Sequence, residues 1–203
     1  MVIALLPLVG RLVSKVDARF LVAFGFVVMS TSLFYMSSKI DLQMGFGTAV
    51  SLRCFQSVGM AFLFVPIQTL SYSGVPPQKN NQVSGIMNLS RNMGGDIGIS
   101  FVSTFITRRS QWHQSHLSAH TTAYDAQFEA ALTGLTSAMQ HAGSSSVEAA
   151  KQALAGLYRQ LVLQATQLAY LDALWVIGVA TLIMAPLVFM AGKPQGRAPA
   201  GAH

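Results

Sequence analysis

Arg91 and Asp96, flanked by Asn88 and Asn92, stand in the stretch NLSRNMGGDIGIS (88–100), inside sequence that is otherwise apolar. On a helix turning about 100° per residue, Ser84, Asn88, Arg91, Asn92, Gly95 and Asp96 fall within a sector of roughly 140°, which gives the helix one wet side. An ionised side chain at mid-bilayer depth costs at least about 2.5–3.5 kcal/mol, so two on one helix predict partners or a water-filled cavity. Arg91 and Asp96 are five residues apart, too far round a helix for an ideal pair, and their partners are expected on other helices. The chemistry of such a face is the passage or recognition of polar groups. The alternative is that these residues only join helices by intramembrane hydrogen bonds. Ser90, Gly94 and Gly98 form a separate strip at four-residue spacing, the pattern of close helix packing. Asn88-Leu89-Ser90 also matches a glycosylation sequon, which an intramembrane location makes irrelevant.

A second polar pair, Arg53 and Gln56, lies three residues apart in RCFQSVGMAFLFVPIQTLSYSGVPP (53–77) and so shares one helix face. Arg53 can also snorkel to the membrane interface. Pro66 removes a backbone donor and predicts a kink beside Gln68 and Thr69. His113, His116 and His120 can share a helix face, but without a nearby cysteine or clear carboxylate they read as a solvated polar face rather than a metal site. No Ser-His-Asp set, glycine-rich phosphate loop or pair of catalytic carboxylates is defensible, so neither an enzyme nor a bound cofactor is expected.

These residues must be positioned by elements that suit the composition. The 203 residues are 52% hydrophobic and 10% charged, with a mean hydropathy of +0.47, whereas a soluble domain carries about a quarter charged residues. That composition predicts an all-α membrane protein. The net charge of +6 does not suggest nucleic acid as a partner, because the basic residues cluster at the ends of apolar segments and not on one helix face. Cys54 is the only cysteine, so neither an intramolecular disulfide nor a thiolate metal site is available.

A bilayer-spanning helix needs about 20 mostly apolar residues. Phe20–Ser37, Thr48–Tyr72 and Ala169–Ala191 meet that requirement, and Val83–Ile106 is long enough but carries the polar cluster. Residues 1–9 are too short to cross and read as the end of a truncated transmembrane helix, giving about four full spans plus the end of a fifth. The segment GRLVSKVDAR (10–19) holds Arg11, Lys15 and Arg19 against Asp17 and is expected to face the cytoplasm. Alternation then puts Lys39–Gly47 outside, 73–82 inside, 107–168 outside and the tail 192–203 inside; Arg108 and Arg109 sit against this pattern. The outer segment reads as a helical hairpin broken at GSSS (143–146), its second helix opening with Ser145 and Glu148 at capping-box spacing. Leu154, Leu157, Leu161, Ala165 and Leu168 follow on one face, expected to pack on the first helix or run into the last span.

Gly10, Asp17 and Arg19 of GRLVSKVDAR match the glycine, acid and base of a cytoplasmic-loop signature, and the segment resembles that of the major facilitator superfamily. Arg53, Gln56, Gly59, Phe64, Pro66, Pro76 and Pro77, followed by Asn88, Arg91, Gly94 and Gly95, resemble the C-terminal half of its EmrB/QacA-type drug:proton antiporters, which have fourteen spans. The resemblance implies a partial major facilitator transporter: one wall of the central path of a multidrug exporter in the bacterial inner membrane, run by inward proton flow. Asn88, Arg91, Asn92, Asp96, Gln56 and Arg53 are then the path residues, Gly10, Arg11, Asp17 and Arg19 the conformational motif loop, and Pro66, Ser90, Gly94 and Gly98 packing or kink positions. Asp96 departs from the pattern, where a small residue is expected. Implied partners are lipophilic or cationic drug-like molecules, protons, the missing N-terminal half with its coupling acid, a periplasmic adaptor protein and an outer-membrane channel. The rival reading is a non-transporting scaffold or truncated relic.

Overall fold

A computed structural model describes residues 2–13, 15–40, 44–72, 75–119 and 125–190. All the regular structure among them is helical: α1 (Val2–Val13), α2 (Ala18–Lys39), α3 (Phe46–Tyr72), α4 (Asn80–Ala119), α5 (Ala126–His141) and α6 (Ser146–Leu187), with 3-10 turns at Pro77–Lys79 and Val188–Met190. The tail at 192–203, His120, and parts of the three short connections at 10–19, 39–47 and 73–82 lie outside the described residues. Helices of Ala18–Lys39, Phe46–Tyr72 and Ser146–Met190 are long and apolar enough to cross a membrane. The 40-residue α4 is long enough too, but its polar residues keep it from qualifying by composition, which is the physical content of its wet face.

The chain forms two compact units, one of Met1–Ser100 with Leu174–His203, the other of Phe101–Ala173. In the first, Val9 of α1, Leu21 of α2 and Ala61 of α3 form the buried centre, with Val13, Phe62 and Val65 against it. Glycines let α2 and α3 approach closely, as small residues do wherever membrane helices meet. A Cβ on Gly59 would lie 2.9 Å from the Met29 backbone nitrogen, and one on Gly25 would lie 3.0 Å from the Phe62 carbonyl carbon. Where α2 meets the final stretch of α6, the Ser30 hydroxyl donates to the Gly178 carbonyl at 2.8 Å. Phe34 covers the Gly178 position there and packs on Trp175, with ring centroids 4.8 Å apart. Pro66 is fully buried inside α3; lacking an N–H, it leaves the Phe62 carbonyl without its helical donor.

The expected motif loop is shorter in the structure, since Gly10 and Arg11 belong to α1, which runs on to Val13. Asp17 precedes α2 without a side-chain cap bond, and Arg19 sits in the first helical turn, where a cation is opposed by the helix dipole. Its Nε and Nη2 are shielded from solvent and have no hydrogen-bond partner among the described residues.

In the second unit, α4 continues past the expected end of its span as one helix to Ala119, and α5 follows as a separate helix. Asp125 caps α5 by accepting from the Gln127 N–H at 3.0 Å. Gly143, at φ +99°, closes it, its N–H bonding to the Gln140 carbonyl while that of Ser144 reaches Met139. A positive φ is what a glycine tolerates at such a helix end. Ser145 Oγ then accepts from the Glu148 N–H at 3.4 Å, opening α6. Of the expected stripe on α6 only Ala165 is buried; Leu157 and Leu161 are half-buried and Leu154 and Leu168 exposed. Ala149, Ala153, Ala169 and Ala173 are buried along with Ala165. Alanine permits a closer approach than leucine, so the tightest packing follows the small residues.

Candidate functional site

The connection between α3 and α4 brings their facing sides together, and the Tyr72 and Ser84 hydroxyls bond across it at 2.7 Å. One turn of spacing along α3 puts Met60, Phe64 and Ile67 on one side; on α4 the same spacing joins Met87, Ser90 and Arg91. With Met29 of α2 they line an open groove of about 440 Å³, to which Gln68 adds an amide. The Arg91 guanidinium lies over the Phe64 ring, 5.7 Å from its centroid, a distance at which the ring's negative face attracts a cation. Three methionines make a soft, adaptable wall, and Arg91 supplies its one fixed charge. The groove can therefore hold an apolar body in several orientations beside a single guanidinium.

The expected polar face is only partly gathered here. Ser90 and Arg91 enter the groove, whereas Asn88, Asn92, Gly95 and Asp96 lie farther round α4 and are exposed. Every residue from Ser90 to Ser100 is exposed, and a Cβ on Gly94, Gly95 or Gly98 would meet nothing within 4 Å. Among the described residues nothing packs on the glycines of that strip. Arg53 and Gln56 form a pair of their own, Arg53 Nη1 donating to Gln56 Oε1 at 3.0 Å, and do not line the groove. Met29, Met60 and Met87 were not anticipated from the sequence. The signal was present in Met60, Phe64 and Ile67 at i, i+4 and i+7, but a helix that is apolar on nearly every side does not reveal which stripe is open.

A second polar cluster ties α4 to α6 within the other unit. Asp172 Oδ2 lies 2.7 Å from Arg109 Nε and 2.7 Å from His113 Nε2, Ser110 meets Thr166 at 3.2 Å, and Gln114 donates to the Tyr158 hydroxyl at 2.7 Å. His113 alone of the expected histidine face thus has a carboxylate neighbour among the described residues, 59 residues away along the chain. Helical periodicity within α4 cannot reveal a partner at that separation. His116 instead stacks on Trp112, ring centroids 4.0 Å apart, and bonds through Nδ1 to the Trp112 carbonyl at 3.2 Å. Among the described residues no three metal-ligating side chains come together.

The sequence pattern of the Major Facilitator Superfamily matches residues 1–119. The multidrug export protein EmrB of Escherichia coli K12 is 25% identical over 194 residues, which cover 96% of this chain and 36% of that protein. The probable multidrug resistance protein EmrY of the same organism is 33% identical over 113 residues, covering 56% of this chain and 22% of the relative. The fatty acid resistance protein FarB of Neisseria gonorrhoeae is 31% identical over 120 residues, or 59% and 24%. The chain spans about a third of the length of the EmrB relative it matches. No solved structure matches it significantly. With more than half of its residues inside that pattern, and with helices built to cross a membrane, the chain belongs to the major facilitator superfamily of membrane transporters and is of the EmrB type.

Proposed function

We propose that the chain supplies one wall of the central path of a proton-coupled exporter for lipophilic or cationic drug-like compounds in the bacterial inner membrane. The observation that carries this reading is the groove between α2, α3 and α4, where Arg91 lies over Phe64 beside three methionines. Polarizable, unbranched side chains suit compounds of varied shape, and a lone guanidinium in an apolar wall is too costly to maintain as filler. Compounds with an apolar body find surface here; a cationic one needs its counter-charge elsewhere, and Asp96, farther round α4, is the acid in reach of the same path. Asn88, Asn92 and Asp96 complete the wet face against the remainder of the transporter, which includes the proton-coupling acid. Arg53 and Gln56 lie toward the outer end of that path. Gly10, Arg11, Asp17 and Arg19 act at the cytoplasmic side as the conformational motif, and the helices beyond Ile106 offer a surface to a periplasmic adaptor and, through it, an outer-membrane channel.

In the full-length transporter, Arg91→Ala is expected to lower resistance to a lipophilic drug by roughly tenfold, the scale of one lost charge-assisted interaction of about 1.4 kcal/mol. Arg91→Lys, which keeps the charge and the cation–π contact but loses the planar fork, is expected to fall between. Membrane abundance on immunoblot must remain at the parental level. Unchanged resistance with Arg91→Ala removes this residue from the path and favours the reading in which the polar groups only join helices.

A further inference from the structure

The unit formed by Phe101–Ala173 holds a second groove, about 340 Å³ in volume, between the end of α4, α5 and α6. Its apolar floor is Leu117, Phe128, Leu154, Leu157 and Leu161, and its rim carries Ser118, Tyr158, Gln160 and Gln164. This is where the leucine stripe of α6 goes: the alanines take the tight packing, and Leu154 is left 53% exposed with Leu157 and Leu161 half-buried.

We propose that this groove is a binding site for a neutral, lipophilic small molecule carrying a hydrogen-bonding group. The volume falls within the range of about 300–1,000 Å³ that small-molecule pockets occupy, and the combination of apolar floor with a few polar groups on one side is their usual chemistry. Neutrality follows from the lining, which among the described residues contains no Asp, Glu, Lys, Arg or His; a charged ligand would lose hydration there without gaining a counter-charge from them. The polar end is organised in advance, because the Tyr158 hydroxyl is already fixed by Gln114 at 2.7 Å. That bond uses the Tyr158 oxygen as acceptor, which leaves its O–H free to donate to a ligand carbonyl or ether oxygen. The amides of Gln160 and Gln164 supply both donors and acceptors. An aliphatic chain alone would use none of these rim donors and acceptors, so the occupant is a compact polar-tipped lipophile and not a lipid tail. This site is distinct from the Arg91 groove in residues and in charge, and its occupancy does not depend on transport.

The test uses the whole chain in lipid nanodiscs with Cys54→Ala as background. Leu157→Cys and Leu154→Cys report on the groove, and Val147→Cys, on the exposed first turn of α6 outside the lining, is the control. Each is reacted with a charged, water-soluble thiosulfonate in the presence of N-phenyl-1-naphthylamine, a neutral lipophile with one N–H. Labelling at 157 and 154 is expected to slow about tenfold when the probe reaches roughly ten times its Kd, with the rate at 147 unchanged. Adding Leu161→Glu, which puts a charge in the floor, should abolish the protection while the helical circular dichroism stays the same. The proposal is overturned if labelling at 157 and 154 is unaffected by the probe. It also fails if 147 slows equally, which would mean that the probe acts through the bilayer, or if neither groove cysteine reacts at all, which would mean the groove is closed. Should one groove variant fail to fold, the other carries the measurement.

Discussion

Both donors that reach Asp172 converge on one oxygen, Oδ2, so the carboxylate joins two positions one turn apart on α4, Arg109 and His113, to a single position on α6. The pair is not deeply buried: the Arg109 and Asp172 side chains are 37% and 31% exposed. Water and counter-ions therefore screen their attraction, and exposed ion pairs contribute about 0.2–1 kcal/mol. Trp112 lies over the Arg109 guanidinium at 4.7 Å, so Arg109→Ala alone would remove a cation–π contact along with the ion pair. A double-mutant cycle on Arg109→Ala and Asp172→Ala separates the two, because the tryptophan term cancels. We expect a coupling of about 0.5–1 kcal/mol, read by chemical unfolding in detergent with helical circular dichroism as the signal. A coupling indistinguishable from zero would mean that the two charges are merely adjacent. His113→Gln, which keeps an N–H donor, should cost less than His113→Ala. At this scale the sequence was readable on α4, where the histidine spacing was plain, and silent about Asp172, because the contact is made by the fold and not by any local period.

Among the elements, the glycines sort by what lies opposite them. Gly25 and Gly59 sit where α2 and α3 nearly touch, and a Cβ at Gly59 would press on the Met29 backbone, which cannot rotate away. Gly59→Ala is accordingly expected to lower the stability of the α2–α3 pair by roughly 1–3 kcal/mol, the usual cost of overpacking. Gly94→Ala meets open space in this chain and is expected to stabilise α4 by up to about 1 kcal/mol through helix propensity alone. Loss of helical circular dichroism on titration with sodium dodecyl sulfate compares the two directly; equal midpoints would contradict the packing described for Gly59. The same contrast shows which elements the sequence could and could not define. Apolar length marked α2, α3 and the last span, and the Ser145 cap marked the start of α6, because those signals are local. Which small residues bear packing is not local, and the four-residue strip of Ser90, Gly94 and Gly98 has the same appearance as a buried seam. Here the seam in α6 runs instead through Ala149, Ala153, Ala165, Ala169 and Ala173.

For the molecule as a whole, α4 between Asn80 and Ser100 is exposed on all but a few residues, including apolar ones such as Ile86 at 64% and Ile97 at 67%. A helix with a polar sector, an apolar sector and a small-residue strip has three different neighbours to satisfy. In the proposed full-length transporter, water takes the sector of Asn88, Asn92 and Asp96, the remaining protein takes the strip of Gly94 and Gly98, and lipid or protein takes Ile86, Met93 and Ile97. The three sectors give different labelling results. In a Cys54→Ser background, Asn92→Cys and Asp96→Cys are expected to react with a hydrophilic maleimide, while Met93→Cys and Ile97→Cys are expected to stay unlabelled by it. A difference of roughly a hundredfold in rate is in keeping with the low thiolate fraction of a cysteine in apolar surroundings. Gly94→Ala, harmless to this chain alone, should reduce export in the complete transporter if the strip is packed there. Should a fluorophore attached at position 96 be quenched by spin-labelled acyl chains, Asp96 faces hydrocarbon, and the aqueous path along α4 cannot stand.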